Sequence, residues 1–277
     1  MLGAAEVREL LERSGLSAKR SLGQNFVADP NTVRRIARVA GVGPGTRVVE
    51  VGPGLGSLTL ALLDAGADEV VAVEKDGQLA ALLPHVLAAH DPGRADRVRL
   101  VQADALLVGW ADLLGPGPWV LVANLPYNVA VPVLLSVLAD APEVVRLVAM
   151  VQKEVADRLV ATPGGRAIGV PTVKVAWYGS ARTLATVGPE VFVPRPRVES
   201  AVVEVVRREP PRPEDPGPVF ALVERAYRQR RKMLRASLGA AVGPDAFAAA
   251  GVAPTARPEE LGVDDWIALA GAVGAGS

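Results

Sequence analysis

The sequence contains no cysteine and only two histidines, His85 and His90, which lie close together in an Ala- and Leu-rich stretch. Without cysteine the chain can form no disulfide, no thiolate metal site and no adduct through a cysteine nucleophile. So few histidines also argue against a histidine metal site or a Ser-His-Asp triad. We therefore expect a protein without a resident metal.

Long apolar runs are also absent, because no stretch reaches the length of a membrane span. The N-terminus carries Glu6, Arg8 and Glu9 where a signal peptide would be apolar, so we expect a cytoplasmic protein. Neither charge sign dominates, with 30 basic and 30 acidic residues. That balance does not exclude nucleic acid, which needs only a local basic surface. With 277 residues, 50% of them hydrophobic, the chain can form one large domain and a small one.

The stretch Thr46–Ser57, TRVVEVGPGLGS, is a Val-rich run that ends in three alternating glycines, Gly52, Gly54 and Gly56. A buried parallel strand is typically a continuous apolar run, and a glycine turn behind it lets a ligand approach bare backbone. The following helix would point its first N–H groups at that ligand. The dinucleotide fingerprint would need glycine at position 57, where the chain has Ser57. The pattern favours a nucleoside-containing ligand on an α/β sheet, and a tight turn without a ligand stays open.

Three further strands are predicted, over residues 69–74, 98–104 and 119–124, and they end in Glu74, Asp104 and Asn124. Open α/β sheets bind ligands in the crevice at the carboxyl ends of their strands. An acid at the tip of the second strand can accept hydrogen bonds from ribose hydroxyls. The three aligned polar residues therefore predict a binding site beside the glycine turn.

The rest of the chain completes the sheet and adds a smaller helical part. Strands are expected over residues 144–152, 182–187 and 201–206, which makes about seven in all, while residues 168–178 fit either a strand or a helix. The charged and Pro-rich stretch 207–218 is typical of a linker. It predicts a catalytic domain over residues 1–207 and a helical domain over residues 208–277.

A single basic helix is expected over residues 219–239. It carries no acid between residues 225 and 235, and the basic side chains singled out there are Arg228, Arg230, Arg231, Lys232 and Arg235. A basic helical run is most often a solvated face, but uncompensated cations also form a good surface for nucleic-acid phosphates. We predict that these residues bind RNA.

The segment Asn124-Leu125-Pro126-Tyr127 follows the fourth strand and suits chemistry on an exocyclic amine. The lone pair of such an amine is delocalised into the base, so two carbonyl acceptors for its N–H groups would favour a pyramidal, nucleophilic nitrogen. The Asn124 side chain and the Leu125 backbone offer those acceptors. Pro126 keeps the turn rigid, and Tyr127 offers a face for a flipped-out base. Phe192, in the Pro-rich loop 187–200, would supply the opposite face if that loop folds back.

Several long motifs carry a family resemblance: KRSLGQNFVAD, VVEVGPGLGSLT, VEKD, QADAL, NLPYNV, QKEVADRL, FVPRPRVESAVV and QRRKMLRASL. With them the chain resembles the KsgA/RsmA family, the small-subunit (16S) rRNA adenine N6,N6-dimethyltransferases. The resemblance covers nearly the whole length. It implies a Rossmann-like class I S-adenosylmethionine-dependent methyltransferase fold of the α/β class. That fold has a seven-stranded, mostly parallel sheet and is followed here by a small all-α domain.

The resemblance also implies where S-adenosylmethionine binds. The residues assigned to the cofactor are Asn25, Val27, Gly52, Gly54, Glu74, Lys75, Asp104, Ala105 and Asn124. The glycines would face the methionine part, Glu74 the ribose hydroxyls and Asp104 the adenine amine, while Asn124 would bridge the cofactor and the target amine. Val27 stands where the family commonly has leucine, which is a mild change if backbone atoms make the contact.

The implied activity is two successive methyl transfers to each of two adjacent adenosines near the 3′ end of 16S rRNA. The implied partner is an immature small ribosomal subunit, with the enzyme acting as a monomer. Two alternatives are a methyltransferase for adenine in large-subunit rRNA (the macrolide-resistance type) or in DNA, and a non-catalytic ribosome-assembly or RNA-binding factor. Glu74, Asp104 and the NLPY segment count against a pure binding factor, which has no need of them. A nicotinamide dehydrogenase is a poorer candidate because of Ser57.

Overall fold

The computed structural model describes residues 1–19 and 23–275, so positions 20–22 of the KRSLGQNFVAD motif lie outside the described residues. The chain divides into two compact units. Residues 1–156 and 182–207 form the first, and residues 157–181 together with the chain from residue 208 onward form the second. Within the described parts of the chain, no helix is both long enough and apolar enough to cross a lipid bilayer.

A seven-stranded sheet forms the centre of the fold, and a separate two-stranded sheet lies apart from it. The strands are Phe26–Val27 (β1), Arg47–Val51 (β2), Glu69–Glu74 (β3), Val98–Gln102 (β4), Trp119–Asn124 (β5), Val144–Gln152 (β6), Gly179–Val187 (β7), Phe192–Val193 (β8) and Ser200–Arg207 (β9). The large sheet has the order β4-β3-β2-β5-β6-β9-β7, and β1 pairs with β8. The pairs from β4 through β6 are parallel, whereas β9 runs antiparallel to β6. The mostly parallel seven-stranded sheet is thus confirmed.

The valine content of the central strands explains why they form. Val48 and Val49 of β2 are 0% exposed, as are Val70 and Val71 of β3 with which they pair in register. Parallel strands that are covered on both faces bury every side chain, so their sequences are continuous apolar runs. Strands β3 and β5 end at the predicted residues, and β4 ends two residues before Asp104.

The α-helices of the described residues are numbered in chain order, and three of them begin at an Asp side-chain cap. They are Ala4–Arg13 (α1), Pro30–Val39 (α2), Ser57–Asp64 (α3), Gly77–His90 (α4), Trp110–Leu114 (α5), Ala130–Asp140 (α6), Lys153–Leu159 (α7), Val170–Tyr178 (α8), Pro216–Tyr227 (α9), Leu234–Leu238 (α10), Pro244–Ala249 (α11) and Val263–Ala275 (α12). Helix α2 shows the pattern. The Asp29 carboxylate accepts the Thr32 N–H at 2.8 Å, and Pro30 occupies the first helical position.

The second unit is built from helices, and it includes the segment whose secondary structure the sequence left open. Residues Val170–Tyr178 form α8, which presents Val173 and Trp177 to a core shared with Val223 of α9 and Trp266 of α12. This apolar face is the physical reason why residues 157–181 cluster with the C-terminal helices. The predicted division at residue 207 treats them as part of the first domain, and the compact units differ from it in that respect.

The expected continuous basic helix over residues 219–239 is wrong. Helix α9 ends at Tyr227 and α10 begins at Leu234, so residues 228–233, here called the basic turn, are not helical. The N–H of Leu234 donates to Ala256 O at 2.8 Å and that of Arg235 to Pro254 O at 3.0 Å. Because these N–H groups bond to a distant segment, the helical pattern cannot run through the basic turn.

Candidate active site

The carboxyl ends of β2, β3 and β5, the segment after β4 and residues 23–27 line one cavity in the first unit. The structure brings together in its wall all nine residues that the sequence assigns to the cofactor: Asn25, Val27, Gly52, Gly54, Glu74, Lys75, Asp104, Ala105 and Asn124. Leu125, Pro126 and Tyr127 line the same cavity. Parallel strands that end at one edge of the sheet explain why positions so far apart in sequence meet there.

The turn between β2 and α3 depends on glycine. Gly52, Gly54 and Gly56 have φ values of 71°, 58° and 89°, in the left-handed region that side chains with a Cβ rarely adopt. At Gly56 a Cβ would also lie 2.7 Å from Leu83 Cδ1. The turn therefore keeps bare backbone at the cavity wall and lets α3 begin directly behind it, with Gly56 as its N-cap.

Backbone groups hold the Glu74 carboxylate at the tip of β3. Oε2 accepts the Gly54 N–H at 3.0 Å, and Oε1 accepts the Asp76 N–H at 2.9 Å. The side chain is buried, and burial raises the pKa of Glu74 although these two hydrogen bonds lower it. Each oxygen retains a second lone pair, so a vicinal diol could donate to both.

Asp104 lies just after β4 and is held in its ionised form. Its Oδ2 lies 2.6 Å from Lys75 Nζ, and its Oδ1 accepts the Leu106 N–H at 3.0 Å. The hydrogen bond from Lys75 lowers the pKa of Asp104 below its ordinary range, and the Leu106 bond adds to this. An ionised carboxylate is an acceptor suited to an amine N–H.

Asn124, at the end of β5, has a defined amide orientation. Its Nδ2 donates to the backbone carbonyl of Asn25 at 3.0 Å. The other end of the amide, Oδ1, is then the side-chain acceptor that Asn124 can offer to a ligand. The Leu125 N–H donates to Met150 O of the neighbouring strand β6 at 3.1 Å. The chain then turns, and the Val129 N–H donates to Pro126 O at 3.1 Å.

The two aromatic residues proposed for base stacking occupy different places. Tyr127 lines the cavity, and its hydroxyl lies 3.2 Å from Ser200 Oγ. Phe192 is 3% exposed, pairs with Val27 across β1 and β8, and belongs to the core of the first unit. The structure does not bring Phe192 into the cavity wall.

Phe26, Glu50 and Ser57 are among the residues of the cavity wall that sequence reasoning did not assign to the site. Phe26 lies against the glycine turn, 3.1 Å from the place of a Cβ on Gly54. The buried Ser57 Oγ has no hydrogen-bond partner among the described residues. Only Glu50 carried a clear signal, as an acid inside the apolar run VVEV.

Glu50 is a buried acid whose surroundings favour its protonated form. It is 1% exposed, and its Oε2 accepts the Thr59 hydroxyl at 2.7 Å. Burial raises the pKa of Glu50 to about 8, in spite of the Thr59 hydrogen bond, and the neighbouring Glu74 charge raises it further. The cavity wall therefore contains three carboxyl groups, at Glu50, Glu74 and Asp104. The surroundings of Glu50 favour its protonated form, and those of Asp104 favour its ionised form.

The residues predicted to bind RNA lie in the second unit, at the basic turn and the start of α10. Arg228, Arg231, Lys232 and Arg235 are exposed. Arg230 is partly buried, since its Nη2 donates to Arg166 O at 2.7 Å and its Nε lies 3.7 Å from a Glu259 carboxylate oxygen. The structure thus leaves four of the five cations directed to solvent.

Within the described residues, no cluster of three or more His, Asp or Glu side chains is arranged to hold a metal ion.

Comparison with known proteins identifies relatives over the full length. The family model described as "Ribosomal RNA adenine dimethylase" matches residues 15–273 of this chain. The chain is 52% identical over 277 residues to "Ribosomal RNA small subunit methyltransferase A" of Streptomyces griseus subsp. griseus, which covers 98% of this chain and 94% of that protein.

Two solved structures are also similar. The 23S rRNA methyltransferase ErmE aligns with a TM-score of 0.67 and 26% identity, covering 90% of this chain and 99% of that one. A dimethyladenosine transferase from Plasmodium falciparum aligns with a TM-score of 0.71 and 20% identity, covering 87% and 94% of the two chains, and at that identity it shows a shared fold alone.

Proposed function

Because this chain belongs to the ribosomal RNA adenine dimethylase family, we propose that it dimethylates N6 of two adjacent adenosines near the 3′ end of 16S rRNA. S-adenosylmethionine supplies the electrophilic methyl groups. The observation that carries the proposal is the orientation of Asn124, whose Nδ2 is bound by Asn25 O in the same cavity as Glu74 and Asp104.

The cavity wall offers a matching group for each part of S-adenosylmethionine. The glycine turn gives unobstructed backbone for the methionine part, and the unpartnered Ser57 hydroxyl is a buried polar atom at the same place. Glu74 has an acceptor lone pair on each oxygen for the ribose hydroxyls. Asp104, ionised beside Lys75, accepts from the adenine amine.

The NLPY segment acts on the amine of the target base. Asn124 Oδ1 and the Leu125 carbonyl would accept its N–H groups, which would turn the nitrogen lone pair away from the ring and towards the methyl carbon. With S-adenosylmethionine bound, the C–N bond would form as the C–S bond breaks, S-adenosylhomocysteine would be released, and the proton lost by the nitrogen would pass to water. Tyr127 stacks on the flipped-out base. The rate enhancement then comes from positioning and oriented carbonyl dipoles, and it needs neither a metal nor a covalent intermediate.

The rRNA substrate is bound within an immature small ribosomal subunit, in the cytoplasm, by a monomeric enzyme. The exposed cations Arg228, Arg231, Lys232 and Arg235 support the binding of rRNA alone, because exposed basic side chains contact nucleic-acid phosphates. Residues 1–207 carry the chemistry, and residues 208–277 contribute the rRNA contacts.

A substrate panel tests the proposal. Labelled S-adenosylmethionine is incubated with unmethylated small ribosomal particles, large particles and DNA, and the products are digested and analysed by mass as nucleosides. We expect N6,N6-dimethyladenosine from the small particle alone. Label in large-subunit rRNA would make the chain a methyltransferase of the ErmE type. Binding to small particles without any label would make it a binding factor.

A further inference from the structure

The segment 23–27 forms part of the active site through its backbone. Asn25 O accepts the hydrogen bond that orients Asn124, at 3.0 Å. At Gly23, with φ of +65°, a Cβ would lie 3.0 Å from Asn128 Oδ1 and 3.3 Å from Pro126 Cβ, so this backbone touches the NLPY turn. The position of the segment therefore determines the direction of the Asn124 amide.

Different contacts hold the two ends of this segment. On the C-terminal side, Phe26 and Val27 pair with β8. On the N-terminal side, the Asp76 carboxylate is the anchor. Its Oδ2 accepts from Lys19 Nζ at 2.8 Å and from Gln24 Nε2 at 3.0 Å, and Gln24 Oε1 in turn accepts the Lys19 N–H at 2.8 Å.

Asp76 is well placed to act as an anchor because it is itself rigid. Its side chain is 4% exposed, and its Oδ1 accepts the Gln78 N–H at 3.1 Å as the N-cap of α4. Its own N–H donates to Glu74, at the ribose end of the cavity. Burial raises the pKa of Asp76, but the hydrogen bonds from Lys19 and Gln24 outweigh it, and the carboxylate stays ionised.

We propose that Asp76 is a positioning residue for methyl transfer: it fastens Gln24 to the Glu74 end of the cavity and, through the carbonyl of Asn25, holds Asn124 in its reactive orientation. The inference rests on the proposed role of Asn124. A change in the Asp76 side chain leaves the glycine turn and the Glu74 carboxylate in place. We therefore expect Asp76 to affect the transfer step more than cofactor binding.

The variant Asp76→Asn tests this directly. Its amide oxygen can still cap α4, but its NH2 group faces the donors Lys19 Nζ and Gln24 Nε2 and cannot accept from them. We expect kcat on small ribosomal particles to fall roughly 10- to 100-fold, because small displacements of catalytic groups have effects of that size. Affinity for S-adenosylhomocysteine, measured by calorimetry, should fall less than kcat, because the glycine turn and the Glu74 carboxylate are unchanged even if Asn25 and Val27 shift.

A double-mutant cycle distinguishes positioning from general destabilisation. Gln24→Leu removes the same contact from the other side without touching the cap of α4. If Asp76 acts through Gln24, Asp76→Asn should have little further effect on kcat in the Gln24→Leu background. Fully additive effects, or a kcat unchanged in either single variant, would overturn the inference.

Two controls complete the design. Asp215→Asn alters a matching N-cap acid, at α9 of the second unit, and should leave kcat unchanged. If Asp76→Asn fails to fold, the double-mutant cycle is measured with Lys19→Met and Gln24→Leu instead. An inactive wild type would overturn the proposed function, whereas an active wild type with a fully active Asp76→Asn would overturn only this inference.

Discussion

Polar side chains in the cavity of the first unit are oriented by hydrogen bonds, whereas most of those in the basic turn of the second unit are exposed. In the cavity, Glu74 and Asn124 are oriented by backbone partners at 2.9–3.0 Å. In the basic turn, Arg228, Arg231 and Lys232 are exposed. Oriented groups can distinguish a transition state from a ground state, whereas exposed charges attract phosphates with little demand on geometry. Single substitutions should therefore have larger effects in the cavity than in the basic turn.

The largest of these effects is expected for cofactor binding. Glu74→Ala removes a carboxylate that would accept two ribose hydroxyls, and each hydrogen bond to a charged group contributes about 1.5–3 kcal/mol. We predict an affinity for S-adenosylmethionine lower by roughly 100-fold or more, measured by calorimetry. Glu69→Ala, at the other end of β3, is the matched control and should bind normally. Equal affinities of the two variants for S-adenosylmethionine would show that Glu74 does not bind the cofactor.

Stacking by Tyr127 gives the next effect. Tyr127→Ala should lower kcat/KM for small particles roughly 10- to 100-fold, because stacking of a base on an aromatic ring contributes about 1–3 kcal/mol. Tyr127→Phe keeps the ring and loses only the contact with Ser200 Oγ, so it should stay within a few fold of wild type. A phenylalanine variant as defective as the alanine variant would assign the effect to the hydroxyl.

Glu50, one of the buried acids of the cavity, makes stability depend on pH. Glu50 is protonated in the folded state up to about pH 8 but ionises near its ordinary pKa of 4.5 when unfolded. A folded-state pKa raised in this way contributes stability at low pH that is lost as the pH rises towards 8. We predict that the free energy of unfolding of wild type, relative to that of Glu50→Gln, falls by up to about 1.4 kcal/mol per pH unit between roughly pH 5 and 8. If chemical denaturation gave the same pH dependence of the free energy of unfolding for wild type and Glu50→Gln, the prediction would be contradicted.

The smallest effects are expected in the basic turn. Changing Arg228, Arg231 or Lys232 singly to Gln should weaken particle binding slightly and reduce the slope of log K against log salt by roughly one. Arg13→Gln, an exposed arginine of the first unit that is paired with Glu9, is the comparison. An unchanged slope in all three variants would exclude the basic turn as a phosphate-contact surface.

Sequence patterns were sufficient to predict those elements that local interactions determine. Strands β3 and β5 end where the Val-rich runs meet Glu74 and Asn124, and their parallel arrangement brings those residues to one edge. The family resemblance, more than any local pattern, pointed to Asn25 and Val27, since a polar loop with one aromatic has no distinctive periodicity.

Tertiary contacts decided the remainder. A continuous helix cannot pass through Leu234, because the Leu234 N–H donates to Ala256 O, a long-range contact that no local propensity predicts. Phe192 is buried by pairing of two-residue strands too short to recognise in sequence. The segment 157–181 joins the second unit through the apolar face of α8, whose partners lie more than forty residues further along the chain.

The central claim is that Asn124 activates the target amine in a cavity that binds the cofactor largely through other residues. The most direct test measures, on one preparation of Asn124→Ala, both S-adenosylhomocysteine affinity and the rate of N6,N6-dimethyladenosine formation in small particles. We predict a transfer rate lower by about 10²- to 10³-fold, as for loss of one oriented group that stabilises a transition state, with cofactor affinity within about tenfold of wild type. A variant that methylates at the wild-type rate would contradict the account.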